Sequence, residues 1–370
     1  MQLSALVPTT LLWSPERFPE LVGPLDSARG ELEEIGRSRE GRPLYGVRFG
    51  RGPRRISLIA GAHADEPLGP AVLLSWVRFL STEAPLELLE QATFVICPHI
   101  NPDGAERNKE WVARYPGPIE TYLQSVQREL PGDDVEFGFP LTPLAALPGR
   151  VGTSAAAGPR PENVAVAAFL ARHGPYHVHA SLHGMAIAEG AWFLIEASAR
   201  ERSQKLRDQL TQFCQGLQVP LHDWNREGEK GFHRIAPGFC TTPTSTAMRE
   251  HFLAQGDAAT ADRFRPSSME FVRSLGGSPL CLVSEIPLFC VHPSAPTDAP
   301  GKRFLEARRE LEHLHGGGGN DLANLKRRFG LAPMDIPRAA SLVLAMVLLA
   351  SECCGLEELS DLPQPPYERG

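Results

Sequence analysis

Four short stretches of this chain combine residue types that do hydrolytic chemistry. GAHADEP (Gly61–Pro67) sets His63 and Glu66 three residues apart, directly after an apolar run. Imidazole and carboxylate are two of the three protein ligands a hydrolytic zinc site needs, the fourth place being kept for water. The same pair also fits a polar turn. NPDG (Asn101–Gly104) follows a second apolar run and has the composition of a β-turn. SLHG (Ser181–Gly184) places His183 at the end of a third run, on the strand face shared by His177 and His179, so a plain cluster of histidines competes with a ligand there. SEIP (Ser284–Pro287) ends a fourth run with Glu285, whose carboxylate is costly to bury unless it is paired or used.

The elements that position these residues follow from periodicity. Ile56–Ala62, Ala92–Ile100, His177–Gly184 and Cys281–Pro287 read as strands. Helical spacing runs over Gly69–Leu80, over Glu162–His173 (closed by Gly174) and over Arg202–Gly216. Alternation of this kind predicts an α/β fold with a mostly parallel sheet covered by helices. All four stretches then lie at strand ends, where such sheets place ligands. Two segments, Tyr115–Arg160 and His222–Ser268, read as long irregular loops that shape a site, since connections usually run to about 4–6 residues. Pro143–Pro161 is rich in Ala, Gly and Pro, and Gly316–Gly319 breaks the C-terminal helices, yet neither reads as a domain boundary. No internal repeat is present.

Composition narrows the function classes. Of 370 residues, 42% are hydrophobic and 22% charged, which is globular and not disordered or coiled-coil. With 37 basic and 44 acidic residues the chain carries −7, so no global positive field gathers nucleic acid. The seven cysteines are scattered without zinc-knuckle spacing, and reduced thiols in a cytoplasmic protein are expected. The N-terminus lacks a basic n-region and its apolar stretch is broken at Pro8, which makes a poor signal peptide. Ala339–Ala350 is too short for a bilayer span of about 20 residues and reads as a buried helix. No membrane or nucleic-acid partner is expected; the oligomeric state is open.

In this order and at these separations, His63-x-x-Glu66, Asn101-Pro-Asp-Gly104, His183 and Glu285 resemble the zinc metallocarboxypeptidase family related to carboxypeptidase A. Gly36–Gly50 and Pro161–Leu170 extend the resemblance over about Gly36 to Cys290. It implies an eight-stranded mixed, mostly parallel sheet with helices on both faces. It also implies one zinc per chain, held by His63, Glu66 and His183 together with a water. Glu285 would shuttle the proton, and an arginine downstream of NPDG, Arg107 ahead of Arg114, would face the oxyanion. Asn101, Asp103, Glu136 and Phe137 take substrate-binding positions. On this reading residues 1–35 are an extension, 36–300 the catalytic domain, 301–361 helices packed on it and 362–370 a tail. The substrate would be a peptide or an amino-acid derivative.

The chain departs from that family in two places. Members specific for a free C-terminus carry Gly-x-Asp-x-Asn-Arg-x-Phe-Pro, whose Asn-Arg pair grips the terminal carboxylate. Here the stretch is GDDVEFGFP (Gly132–Pro140), with Glu136 and Phe137 in those two places. Neither can form an arginine fork, and Glu136 repels a carboxylate. The family's closing tyrosine is missing too, because no tyrosine lies between Tyr176 and Tyr367; Phe264 or Phe271 can replace its packing surface but not its hydroxyl. An amidated or otherwise modified substrate is therefore expected. The alternatives are a deacylase of N-acyl amino acids, of the succinylglutamate desuccinylase and aspartoacylase kind, and a zinc- or peptide-binding module without turnover. His222, His233 and His251 read as solvated loop histidines, and Lys302–Glu312 as a solvated helix face.

Overall fold

The computed structural model describes residues 6–140, 158–292, 301–314, 319–353 and 355. The expectations for 143–157, for Gly316–Gly318 and for the 362–370 tail lie outside these residues. Among the described residues, ten strands form a single sheet: β1 (Gly30–Arg37), β2 (Pro43–Phe49), β3 (Arg54–Ala60), β4 (Ala92–Cys97), β5 (Val178–Ala188), β6 (Trp192–Ile195), β7 (Arg234–Ala236), β8 (Phe239–Thr241), β9 (Leu280–Cys290) and β10 (Ala332–Pro333). Their order is β1-β2-β4-β3-β5-β9-β6-β8-β7, with β10 also paired to β9. The expected sheet of eight is thus exceeded. Among the added strands, β7 and β8 are short edge pieces drawn from His222–Ser268.

The centre, β4-β3-β5-β9, is parallel, and the pairs outside it are antiparallel apart from β6 with β8. The chain leaves β3 through the helix Leu68–Thr82 to β4 on one side, and returns through the helix Pro161–His173 to β5 on the other. This reversal makes a switch point at the carboxyl ends of β3 and β5, where an open crevice must form. Even-numbered residues of β5 (Val178, Ala180, Leu182) pack with Ile56, Leu58 and the Leu68–Thr82 helix. Ile59, Val95 and Cys97 face the opposite layer, with the helix Pro161–His173 and Phe271. Gly69 brings the first of these helices close to the sheet, since a Cβ there would lie 2.5 Å from the Leu182 carbonyl oxygen.

Two expected loops contain more order than their composition predicts. Helix Ile119–Ser125 lies within Tyr115–Arg160, while His222–Ser268 holds β7, β8 and, after them, helices Ser245–Ala254 and Ala258–Ala261. Helix Ile119–Ser125 is anchored by its buried Ile119 and Tyr122, and Ser245–Ala254, which buries no residue, packs on Ala258–Ala261 and is capped by the Thr244 side chain. The C-terminal helix Ile336–Cys353 has the length and hydropathy of a membrane span, yet 72% of it is buried inside the protein. It packs on Leu68–Thr82 and Gln204–Gly216, as the buried-helix expectation requires. Cys97, Cys214, Cys240, Cys281, Cys290 and Cys353 are free thiols.

Candidate active site

The loop after β3 carries His63 and Glu66, and β5 carries His183. Their ligand atoms all lie within 4.8 Å of one another. His63 Nδ1 is 2.8 Å from Glu66 Oε1, His183 Nδ1 is 2.8 Å from Glu66 Oε2, and the two Nδ1 atoms are 3.1 Å apart. Two imidazole nitrogens aimed at one point repel each other unless a proton or a cation lies between them. Tetrahedral zinc with bonds of about 2.0–2.1 Å sets neighbouring ligand atoms a little over 3 Å apart, so this donor set fits the metal. The Gly184 N–H donates to Glu66 Oε2 (3.3 Å) and fixes the carboxylate's orientation.

A second layer holds His183. Its Nε2 faces Ser181 Oγ at 2.8 Å and Glu136 Oε2 at 3.0 Å, so the N–H is on Nε2 and the Nδ1 lone pair is free for a metal. Glu136, only 5% exposed, turns toward this imidazole and not toward substrate. Burial pushes the Glu136 carboxyl up, but the His183 charge outweighs it and holds the group low. Burial likewise opposes ionisation of Glu66, yet His63, His183 and Arg128 keep it well below the usual carboxylate range. Burial would lower His183, while Glu136 and Glu66 hold it well above its ordinary value.

Glu285 pairs with His183 across the β5–β9 ladder, so both side chains leave the same face of the sheet. Burial, reinforced by the Glu66 charge, pushes its carboxyl up to about 8. Both residues line a cavity of about 580 Å³ that also holds His63, Glu66, Arg128 and Glu136.

The arginines correct the sequence reading. Arg107 is tied to Glu40 and Glu129 (2.9 Å each), Arg114 is exposed, and neither lines the cavity. Arg128 does: its guanidinium lies 3.2 Å from Asp65 and 3.3 Å from Glu66, with 45% of its side chain open. Arg128 stands in an irregular segment with no motif around it, so only its holders were visible. Asn108 exchanges hydrogen bonds with the backbone of Gln127 (2.8 and 3.0 Å), and Asn101 and Arg107 both bind Glu129. The helix Pro102–Val112 thus clamps residues 127–129 and aims Arg128.

Asn101 and Asp103 also differ from expectation. Asn101 caps that helix, accepting from the Gly104 N–H (3.0 Å), while Asp103 is held by Ser38, Arg42 and the Glu40 N–H. Both are buried structural groups with no access to the cavity. Phe137 does line it, packed edge-on to Phe264 at 5.4 Å, whereas Phe271 is buried away from it. His222 is fully buried against Trp192 and Phe304, contrary to its reading as a solvated residue, and Phe304 with Arg308 turns the Lys302–Leu314 helix into a cavity wall.

A zinc carboxypeptidase family model matches residues 24–188, a span that contains His63, Glu66, Arg128, Glu136 and His183. Residues 24–188 are similar to the zinc carboxypeptidase family. Glu285 lies beyond the matched span. Human carboxypeptidase D is 31% identical over 91 residues, 21% of this chain and 7% of that protein. Carboxypeptidase E of Caenorhabditis elegans is 35% identical over 88 residues, 20% of this chain and 19% of the relative. The aligned stretches thus span less than a fifth of those relatives. Among solved structures, bovine thrombin-activatable fibrinolysis inhibitor in complex with tick carboxypeptidase inhibitor is similar with a TM-score of 0.48 and 16% identity, covering 95% of this chain and 99% of that one. Within the matched span, His63, Glu66 and His183 make up a donor set that fits a zinc ion.

Proposed function

We propose that this protein is a zinc-dependent amide hydrolase with a carboxypeptidase-type centre and an altered substrate clamp. The observation that carries the reading is the convergence of the His63, Glu66 and His183 donors beside Glu285 in one cavity. Zinc held by these three residues supplies a Lewis acid that lowers the pKa of a bound water toward about 7 and polarises a carbonyl. Glu285, raised by its surroundings toward neutrality, takes a proton from the attacking water and passes it to the leaving nitrogen. Arg128, anchored on Asp65, presents its remaining N–H donors to the negative charge that develops on the carbonyl oxygen. Glu136 keeps His183 in the tautomer and orientation a ligand needs.

Residues 136 and 137 form no fork for a terminal carboxylate, since one carboxylate is bound to His183 and the other side chain is a phenyl ring. The reading therefore places the substrate among amide-linked or modified peptides and amino acids. Metal analysis with a screen of acylated amino acids and of free and amidated peptides, with and without chelator, tests it. Expected is one zinc per chain and chelator-sensitive hydrolysis of amidated substrates; cleavage of the free acids alone would refute the altered clamp. Glu285→Gln separates an enzyme from a passive binder: zinc is retained and turnover is lost.

A further inference from the structure

The part of the cavity away from the metal donors is aromatic and ends in cations. Trp192 is the register partner of Glu285 on the neighbouring strand and stacks on Phe232 at 5.6 Å. The Arg226 guanidinium lies over Phe232 at 4.2 Å and over Trp224 at 4.5 Å, and Arg308 lies 5.8 Å from the same Trp224 ring. A second wall runs from Phe137 through Phe264 and Phe252, successive rings 5.4 and 5.3 Å apart, to the Lys230 ammonium 5.7 Å beyond. Two aromatic tracks thus lead from the Glu285 and His183 end to Arg226, Lys230 and Arg308, all of which line the cavity.

These cations are held in place and incompletely neutralised. Arg226 is only 11% exposed and gives two donors to Glu229, through Nε at 3.3 Å and Nη2 at 3.1 Å, which leaves other guanidinium donors unspent. Lys230 Nζ is 3.9 Å from Glu229, beyond hydrogen-bond range. Arg308 pairs with Glu312 at 2.8 Å. The three cations therefore face two carboxylates. The loop that presents Arg226 and Lys230 is costly to build: Glu227 (φ 53°) and Lys230 (φ 56°) are left-handed without being glycine, and Gly228 and Gly231 flank Lys230's turn. Burial and mutual repulsion among Arg226, Lys230 and Arg308 push Arg226 and Lys230 below their usual values, as expected of a site short of negative charge. The metal end has the opposite character, carrying Glu66, Glu136 and Glu285.

We propose that Arg226, Lys230 and Arg308 form a carboxylate-binding subsite at the far end of an aromatic track, selecting substrates whose acidic group is separated from the scissile amide by an apolar span. The subsite takes over, at a different place and from different elements, the anion anchoring that Glu136 and Phe137 cannot supply. The proposal rests on the hydrolase reading only for which end of the substrate carries the amide.

The test is binding to the full-length, metal-free protein in EDTA, so that neither hydrolysis nor metal ligation contributes. The probes are ω-phenylalkanoates from phenylacetate to 6-phenylhexanoate with the matching primary amides, followed by calorimetry and by fluorescence of Trp192 and Trp224. Expected is at least tenfold tighter binding of the best acid than of its amide, weakening with salt. Lys230→Asn, which keeps a residue tolerant of left-handed backbone, combined with Arg308→Gln, brings that preference to twofold or less at an unchanged melting temperature. Acid and amide binding within twofold of each other in the wild type would overturn the subsite, as would an acid preference that survives in the double variant. Absence of zinc or of turnover in a separate assay would count against the hydrolase reading and leave the binding result standing.

Discussion

The contact between Glu136 and His183 has a role that can be measured. The carboxylate accepts from His183 Nε2 at 3.0 Å in a site where Glu136 is 5% exposed and His183 is 3% exposed. Glu136→Gln keeps the shape and an accepting oxygen but removes the charge. A hydrogen bond to a charged group contributes about 1.5–3 kcal/mol and a neutral one about 0.5–1.5, so the exchange costs roughly 1–1.5 kcal/mol. At about 1.4 kcal/mol per factor of ten, zinc affinity should fall about tenfold. Glu136→Leu removes the acceptor altogether and should reach about a hundredfold, the upper end for losing an outer partner of a ligating histidine. Ser181→Ala, which leaves Glu136 in place, should cost less than Glu136→Leu. The assay is competition with a chromophoric chelator at fixed pH, with circular dichroism to confirm folding. Zinc affinity within twofold of wild type for both Glu136 variants would show that the contact does not orient the ligand.

Further outcomes follow from the same geometry. Arg128→Ala should lower kcat by about 10²–10³ with little change in KM, because its donors act on charge present mainly in the transition state; an unchanged kcat in steady-state assays would remove Arg128 from that role. Glu285→Gln should stabilise the metal-free protein at pH 9 relative to wild type. Its folded-state pKa of about 8 lies above the unfolded value, so wild-type stability falls as pH rises through that interval, and the gain should vanish near pH 4 in melting experiments. Gly69→Ala should cost about 1–3 kcal/mol in urea unfolding, since its Cβ meets the Leu182 carbonyl oxygen at 2.5 Å and the helix must move. Chelator should lower the melting temperature of the zinc-loaded protein, because a ligand bound only by the folded state stabilises it.

Much of the centre could be read from local signals. Strand ends, the three-residue spacing of His63 and Glu66, the shared face of His179, Ser181 and His183, and an acid interrupting the apolar β9 all depend on periods of two residues and on the cost of burying charge. Those rules act along the chain, so the sequence carries them openly. The arginine was not legible in this way. Arg128 reaches the site because Asn101, Arg107 and Asn108, on one helix and its cap, grip a segment some twenty residues later, and such a clamp has no period or composition. For the same reason Asn101 and Asp103 looked like substrate groups when they are the cap and anchor of that helix.

Glu136 illustrates the division most directly. Its residue type already excluded a carboxylate fork, because like charges repel whatever the fold. Where the side chain turns instead depended on β5 bringing His183 within 3.0 Å across 47 positions of chain, a contact that exists only once the sheet has closed. The aromatic track and its cations have the same origin: Trp192, the loop carrying Arg226 and Phe232, and Arg308 come from three separate segments, each unremarkable alone, and become one wall through packing around β6 and β9.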